Sequence, residues 1–180
     1  MHVLVTRRLT LRRPTALDAD DIALWLGNWN VARMLGPVPF PYHRKDAQEW
    51  LASLDGKPDS LVYTIHRERL IGVVSVDGGG PVPRLGYWLA EPWHGRGFMT
   101  EAAHALLSHA FAKDGIEAVV SSVFIDNPAS LRVQEKLGFA VTGLGEIWSR
   151  SRAAIVTTLT TRLSAADFTT ARAGAALSAA

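Results

Sequence analysis

The sequence predicts an α+β fold around one mixed, mostly antiparallel sheet flanked by helices, and three observations predict it. β-rich runs fill the middle of the chain at 61–66, 70–76 and 84–90, joined by links too short to hold a helix. Segments with apolar residues at helical spacing lie on both sides of that meander. A turn carrying Gly95 and Gly97 then leads from the third run into a long helical stretch.

Taken in order, Leu9-Thr10-Leu11-Arg12 alternates apolar and polar residues as a short strand does, and Pro14 ends it. Thr15 or Asp18 caps a helix over 19–26, with Ile22, Leu24, Trp25 and Leu26 as its apolar side. Residues 28–35 form a second short helical stretch. Pro37, Pro39 and Pro41 enforce an extended loop, because each fixes its own φ and biases its predecessor away from helix. Helix resumes near Lys45, runs through Ala47, Trp50 and Leu51, and stops at Gly56 and Pro58. The first two β-rich runs form a hairpin through Glu68-Arg69, and the triple glycine within 77–83 makes the next turn. A helix over 100–113 carries Ala103, Leu106, Leu107, Ala110 and Phe111, with Asp114-Gly115 after it. Residues 118–124 form a strand. Pro128 opens a helix with Leu131, Val133 and Leu137 on its apolar side, and Gly138 closes it. Two strands follow at about 139–148 and 153–163. The domain is expected to span 1–163, with 164–180 a frayed or weakly helical tail rich in Ala, Ser and Thr.

Composition bounds the function. With 180 residues, 48% of them hydrophobic and 20% charged, one domain with a sizeable core is expected. A formal charge of +2 spread over short clusters argues against a nucleic-acid face. The absence of cysteine excludes a disulfide scaffold, a thiolate zinc site and a protein thiol nucleophile. No run approaches the roughly 18 apolar residues of a membrane helix, and the N-terminus has no signal-peptide pattern, so a cytoplasmic protein is expected.

A helix N-terminus offers unpaired N–H groups and a partial positive charge, so it binds anions when bare backbone can approach the ligand. Gly95 and Gly97 permit that approach, and Thr100 adds a hydroxyl. The turn lacks a Gly-Lys-Ser/Thr ending and an intact Gly-X-Gly-X-X-Gly, which excludes a P-loop and a dinucleotide fingerprint. Glu101, in the first helical turn, is expected to point sideways.

Leu85-Gly86-Tyr87-Trp88-Leu89-Ala90-Glu91-Pro92-Trp93-His94-Gly95-Arg96-Gly97-Phe98-Met99-Thr100-Glu101-Ala102 resembles the central motif of the GCN5-related N-acetyltransferases, in the ribosomal-protein and aminoglycoside-type branch. Asp126-Asn127-Pro128-Ala129-Ser130, leading to Glu135-Lys136-Leu137-Gly138-Phe139, resembles the family's second signature in matching order. Leu9-Thr10-Leu11-Arg12-Arg13-Pro14 and Pro39-Phe40-Pro41-Tyr42 look like the same branch, so the likeness spans about 7–163. The resemblance implies splayed central strands, with acetyl-CoA as cosubstrate and no metal. Its pantetheine arm would pair with backbone at Trp88, Leu89 and Ala90. The diphosphate would take N–H groups from His94, Gly95, Arg96, Gly97, Phe98, Met99 and Thr100. His94 and Met99 depart from the residues usual in the family, which leaves backbone binding intact. Arg96 reads as a phosphate neighbour or as a solvated arginine.

Acetyl transfer needs a neutral amine, a polarised thioester carbonyl and a stabilised thiolate. An α-amine, with a pKa of about 7.7–8.0, needs little help; a lysine, at about 10.4, needs a base or a desolvating site. A backbone N–H near Leu89 is expected to polarise the carbonyl. Asn127 reads as a helix cap or as a contact to the cofactor or a bridging water. Many relatives carry a Tyr where Gln134 stands, so that acid is missing here; Ser130 is the candidate proton donor to sulfur, or a second cap. Glu146 is taken as the base, against its plain reading as a solvated strand carboxylate, with Glu91 and Glu101 in reserve. His66, His104 and His109 read as packing or surface residues. Trp29, Tyr42 and Trp148 are candidate walls of an acceptor pocket. The expected activity is acetyl transfer to a primary amine, on a protein N-terminus or a small molecule. A non-catalytic CoA-binding or regulatory module is the alternative, and a homodimer stays open.

Overall fold

The computed structural model describes residues 3–56, 60–113 and 115–177. Its strands are β1 (Leu4–Val5), β2 (Thr10–Arg12), β3 (Leu61–His66), β4 (Leu70–Asp77), β5 (Arg84–Leu89), β6 (Ala118–Phe124), β7 (Ala140–Ser149) and β8 (Ala154–Ser164). Its helices are α1 (Ala19–Leu26), α2 (Trp29–Ala32), α3 (Arg44–Ala52), α4 (Phe98–Phe111), α5 (Pro128–Leu137) and α6 (Ala165–Leu177). Several elements differ from expectation at their edges, and α3 ends at Ala52 rather than running on to Gly56. The helix expected over 28–35 shortens to the single turn of α2, and α4 begins two residues earlier than expected, at Phe98. The expected breakers Pro58 and Asp114 lie outside the described residues.

Among the described residues, one sheet runs in the order β1-β2-β3-β4-β5-β6-β8-β7, and every neighbouring pair is antiparallel except β5 and β6. The middle strands β3 and β4 are buried almost throughout rather than on alternate residues, as strands covered on both faces must be. β4 shows this directly. It gives Leu70 to a cluster with Ile22, Leu26, Val31, Tyr42 and Ala47, and Ile71, Val74 and Val76 to a second cluster with Leu106, Leu107, Leu137 and Phe168. The helices α1 to α3 therefore cover one face, and α4 to α6 the other.

The link from β2 to α1 is made by a buried carboxylate. Asp18 is almost wholly buried and accepts two hydrogen bonds from the Arg12 guanidinium, at 2.6 and 2.9 Å, and one from the Thr15 N–H at 2.7 Å. Burial pushes its pKa up, but the bonds from Arg12 and Thr15 outweigh this and hold it below the usual carboxylate range. A depressed folded pKa means that this stability is present above the unfolded value, about 3.9, and is lost as pH falls through the lower folded value. Asp18→Asn should cost about 2 kcal/mol at pH 7, since the amide turns a donor toward Arg12. The cost should shrink at pH 3, which urea unfolding at both values checks.

Candidate active site

The parallel contact between β5 and β6 is confined to their beginnings. Arg84 pairs with Val120, the Val120 N–H donates to the Pro83 carbonyl at 2.9 Å, and no further backbone pair joins the two strands. Beyond that point they diverge, and a cleft of about 1200 Å³ opens between them. Strand parity decides which backbone groups face it. The Ala90 N–H donates to the Ile71 carbonyl at 2.8 Å, so the opposed residues Gly72 and Leu89 form a non-hydrogen-bonded pair. The N–H and C=O groups of Leu89, and by the same alternation those of Tyr87 and Leu85, therefore turn away from β4 toward β6. Leu85 agrees: its carbonyl accepts from the Ser121 hydroxyl of β6 at 2.9 Å.

At the open end of the cleft, β5 passes through a 3₁₀ turn at Glu91–Trp93 into Gly95 and Gly97, both with φ of +75°. A side chain would strain that left-handed conformation, and Gly97 is the N-cap of α4. Among the described residues, nothing hydrogen-bonds the main-chain N–H groups of Gly95, Arg96, Gly97, Phe98, Met99 or Thr100; the first inward bond of α4 is Glu101 N–H to the Gly97 carbonyl, at 3.1 Å. Six successive donors thus stand unpaired at the positive end of a 14-residue helix, and all of their residues except Arg96 line the cleft. Glu101 points aside. It accepts from the Thr6 hydroxyl at 2.7 Å, the Arg8 N–H at 2.9 Å and the Arg8 Nε at 2.6 Å. Burial raises its pKa, and those bonds more than reverse the effect, so the carboxylate is ionised and bound to β1–β2 rather than aimed at the turn. Arg8 also lies over the Phe98 ring and donates to the Arg96 carbonyl, which fixes the turn from behind.

The throat of the cleft is formed by α5. Asn127 caps the helix, its Oδ1 accepting the Ser130 N–H at 3.1 Å, and both residues line the cleft. The Ser130 hydroxyl lies 2.8 Å from the Tyr87 hydroxyl, which reaches across from β5. Gln134 is fully buried and committed elsewhere: it donates to Ser121 at 2.9 Å and accepts from Thr161 at 2.6 Å, tying α5 to β6 and β8. The loop carrying Asn127 is held by Asp126, which accepts two bonds from Arg152 and one from Arg33. The far wall comes from Tyr42, Asp46, Glu49, Trp50 and Trp88. Burial, with the nearby Asp46 charge, pushes the Tyr42 hydroxyl up to about 12, so it stays protonated.

The structure brings most of the expected site residues together and leaves some out. Trp88, Leu89, Gly95, Gly97, Phe98, Met99, Thr100, Asn127 and Ser130 line the one cleft. His94 lines it too, but not as the expected donor to phosphate: its N–H is spent on the Glu91 carbonyl at 3.1 Å, and its ring Nε2 lies 2.7 Å from the Leu89 carbonyl oxygen. Ala90 does not, because strand alternation gives its N–H to Ile71. Trp88 contributes its side chain, while its main chain faces Val73 on β4. The Arg96 side chain lies over the Trp93 ring instead of lining the cleft. Glu146 is exposed on β7, opposite Thr157, and is not among the lining residues. The reserve carboxylate Glu91 has both oxygens bonded, to Asn28 at 2.6 Å and Asn30 at 2.9 Å, and Glu101 is bound to Arg8. Trp29 packs edge-to-face with Phe40 and Trp148 is exposed, and neither lines the cleft; Trp50 does, though it was not expected there. The residue that sequence reasoning missed is Tyr87. Its signal was its parity with Leu85 and Leu89 on the strand that diverges.

A family model described as an acetyltransferase (GNAT) domain matches residues 8–140. The uncharacterized N-acetyltransferase p20 of Bacillus licheniformis is 23% identical over 164 residues, covering 87% of this chain and 92% of the relative. The ribosomal-protein-serine acetyltransferase of Escherichia coli (strain K12) is 33% identical over 86 residues, covering 46% of this chain and 48% of the relative. Among solved structures, RimL, a ribosomal L7/L12 α-N-protein acetyltransferase in complex with coenzyme A, superposes with a TM-score of 0.79 at 20% identity, covering 91% of this chain and 98% of that one.

Proposed function

Because the chain belongs to the acetyltransferase (GNAT) family, we propose that it moves the acetyl group of acetyl-CoA directly onto a primary amine held in the same cleft. One observation carries this reading: six unpartnered main-chain N–H groups at Gly95 to Thr100 stand at the mouth of a cleft deep enough for an extended ligand. A diphosphate fits such a row by charge and by hydrogen bonding. The Tyr87 backbone groups turned toward the gap suit an amide of a pantetheine arm, in the manner of an added strand, whereas the Leu89 carbonyl is already held by His94 Nε2 at 2.7 Å.

Acetyl-CoA supplies an activated acyl group on a thiol leaving group. The Leu89 N–H, turned into the gap, polarises the thioester carbonyl. Asn127 holds the first turn of α5 in place, and Ser130 delivers a proton to the sulfur. The amine nitrogen bonds the carbonyl carbon, the C–S bond breaks with its electron pair on sulfur, and the nitrogen sheds a proton to water. No carboxylate of the described cleft is needed as base when the acceptor is an α-amine, which is substantially neutral near pH 8. A protein N-terminus is therefore the favoured acceptor. The names of the ribosomal-protein acetyltransferases among its relatives support it, as do Asp46 and Glu49 on the far wall, which attract an ammonium group. A cytoplasmic setting goes with that reading.

The test is thiol release from acetyl-CoA with peptides bearing free N-termini, set against lysine side chains and small amines. Peptide α-amines should be acetylated, with kcat/KM rising with pH until the acceptor is neutral and then levelling off. CoA binding without turnover on any amine would leave the fold as a binding module and refute the proposal.

A further inference from the structure

The Tyr87 hydroxyl has one proton and two acceptors in reach, the Ser130 carbonyl oxygen at 3.1 Å and the Ser130 hydroxyl oxygen at 2.8 Å. A carbonyl can only accept, whereas a hydroxyl does both, so two arrangements are open. In the first, Tyr87 donates to the carbonyl and Ser130 donates back to Tyr87, which turns the serine proton away from the cleft. In the second, Tyr87 donates to the Ser130 hydroxyl and leaves the serine proton free for a group in the cleft. We propose that Tyr87 is a positioning residue that switches Ser130 into its proton-donating arrangement and replaces the proton Ser130 gives up.

The chemistry requires such a partner. This inference rests on the reading of Ser130 as the donor to sulfur. An aliphatic hydroxyl is nearly as weak an acid as water, far weaker than a thiol, whose pKa is about 8.5. Serine alone would give its proton to a thiolate only steeply uphill. A phenol, at about 10, lies far closer to the thiol. With the two hydroxyls in series, the sulfur takes the Ser130 proton as the C–S bond breaks, and Ser130 takes the Tyr87 proton. The phenolate then recovers, through water in the cleft, the proton shed by the amine nitrogen. One proton leaves nitrogen, one arrives on sulfur, and both hydroxyls end as they began.

The surroundings suit that role. Burial pushes the phenol pKa up, partly offset by the hydrogen bond with Ser130, so Tyr87 holds its proton in the resting site. Gln134 has its own bonds to Ser121 and Thr161, and it holds α5 at a fixed distance from the diverging strands. Tyr87 and Ser130 both line the cleft, so the pair meets the ligand from the side of α5.

Tyr87→Phe keeps the ring and removes the switch. With acetyl-CoA and a peptide acceptor, it should lower kcat about 100-fold while the KM for acetyl-CoA stays within about twofold and the melting temperature holds. Ser130→Ala should lose a similar factor, and the double variant no more than either single, because the two hydroxyls act as one unit. An unaffected Ser130→Ala would sink the reading of Ser130 itself. A damaged Ser130→Ala beside an active Tyr87→Phe would overturn only the inference drawn for Tyr87. Losses that multiply in the double variant, or a loss in Tyr87→Phe that lies wholly in KM and melting temperature, would also overturn it.

Discussion

Exchanging Gly97 for aspartate is expected to raise the dissociation constant of CoA by roughly 100-fold, or about 2.7 kcal/mol. Two effects add. The residue sits at φ +75°, where a side chain costs about 1 kcal/mol even for Asp, which tolerates that region better than most. A carboxylate at the N-cap of α4 also stands against a diphosphate on the donors proposed to bind it, worth about another 1–2 kcal/mol at low salt. Gly97→Asn carries the first effect without the second and should weaken binding by only about fivefold. Added salt should narrow the gap between the two variants. Calorimetric titration with CoA at two ionic strengths measures all of this. Equal affinities for the Asp and Asn variants would mean that no anion sits at this turn.

Phe168→Ala is expected to destabilise the fold by about 3 kcal/mol, which for a domain of this size lowers the melting temperature by roughly 10 °C. Phe168 is 5% exposed, and its ring lies 5.0 Å from that of His104 and 5.4 Å from that of Phe111, both on α4. We propose on this ground that the domain runs past Ser164 to include α6, since Phe168 packs against α4, the helix whose N-terminus borders the cleft. Acetyl-CoA affinity should fall along with stability in this variant. A thermal melt that moves by less than a degree would show that α6 does not seal this core.

The segments most legible in the sequence were those whose local preference and tertiary role agree. The β-branched runs of β3, β4 and β6 and the glycines before α4 needed only short-range signals, and the sheet follows from them. The start of α4 was misplaced by two residues because its N-cap is a left-handed glycine, Gly97, which carries no side-chain capping signal. Leu4–Val5 is too short for any period, and its pairing with Thr10 and Leu11 became visible only in space. Phe168 is a lone aromatic in a stretch of Ala, Ser and Thr, so no stripe announced its burial. In the cleft, the position of the glycine turn was legible from glycine placement, while which side chains and backbone groups face the cleft depended on strand parity. That parity turns Ala90 away from the cleft and Leu89 toward it, and it leaves Glu146 on an outer strand. Tyr87 meets Ser130 of α5 only because β5 and β6 part, and no residue in either strand foretells that partner.

The account stands on main-chain donors at one helix start, and amide-resolved NMR observes them directly. When CoA is added to the uniformly ¹⁵N-labelled protein, the signals of Gly95, Arg96, Gly97, Phe98, Met99 and Thr100 should move together and saturate at one affinity. The Glu101 amide, already bonded to the Gly97 carbonyl, should move less. CoA binding that leaves those six signals in place and shifts amides elsewhere would contradict the account.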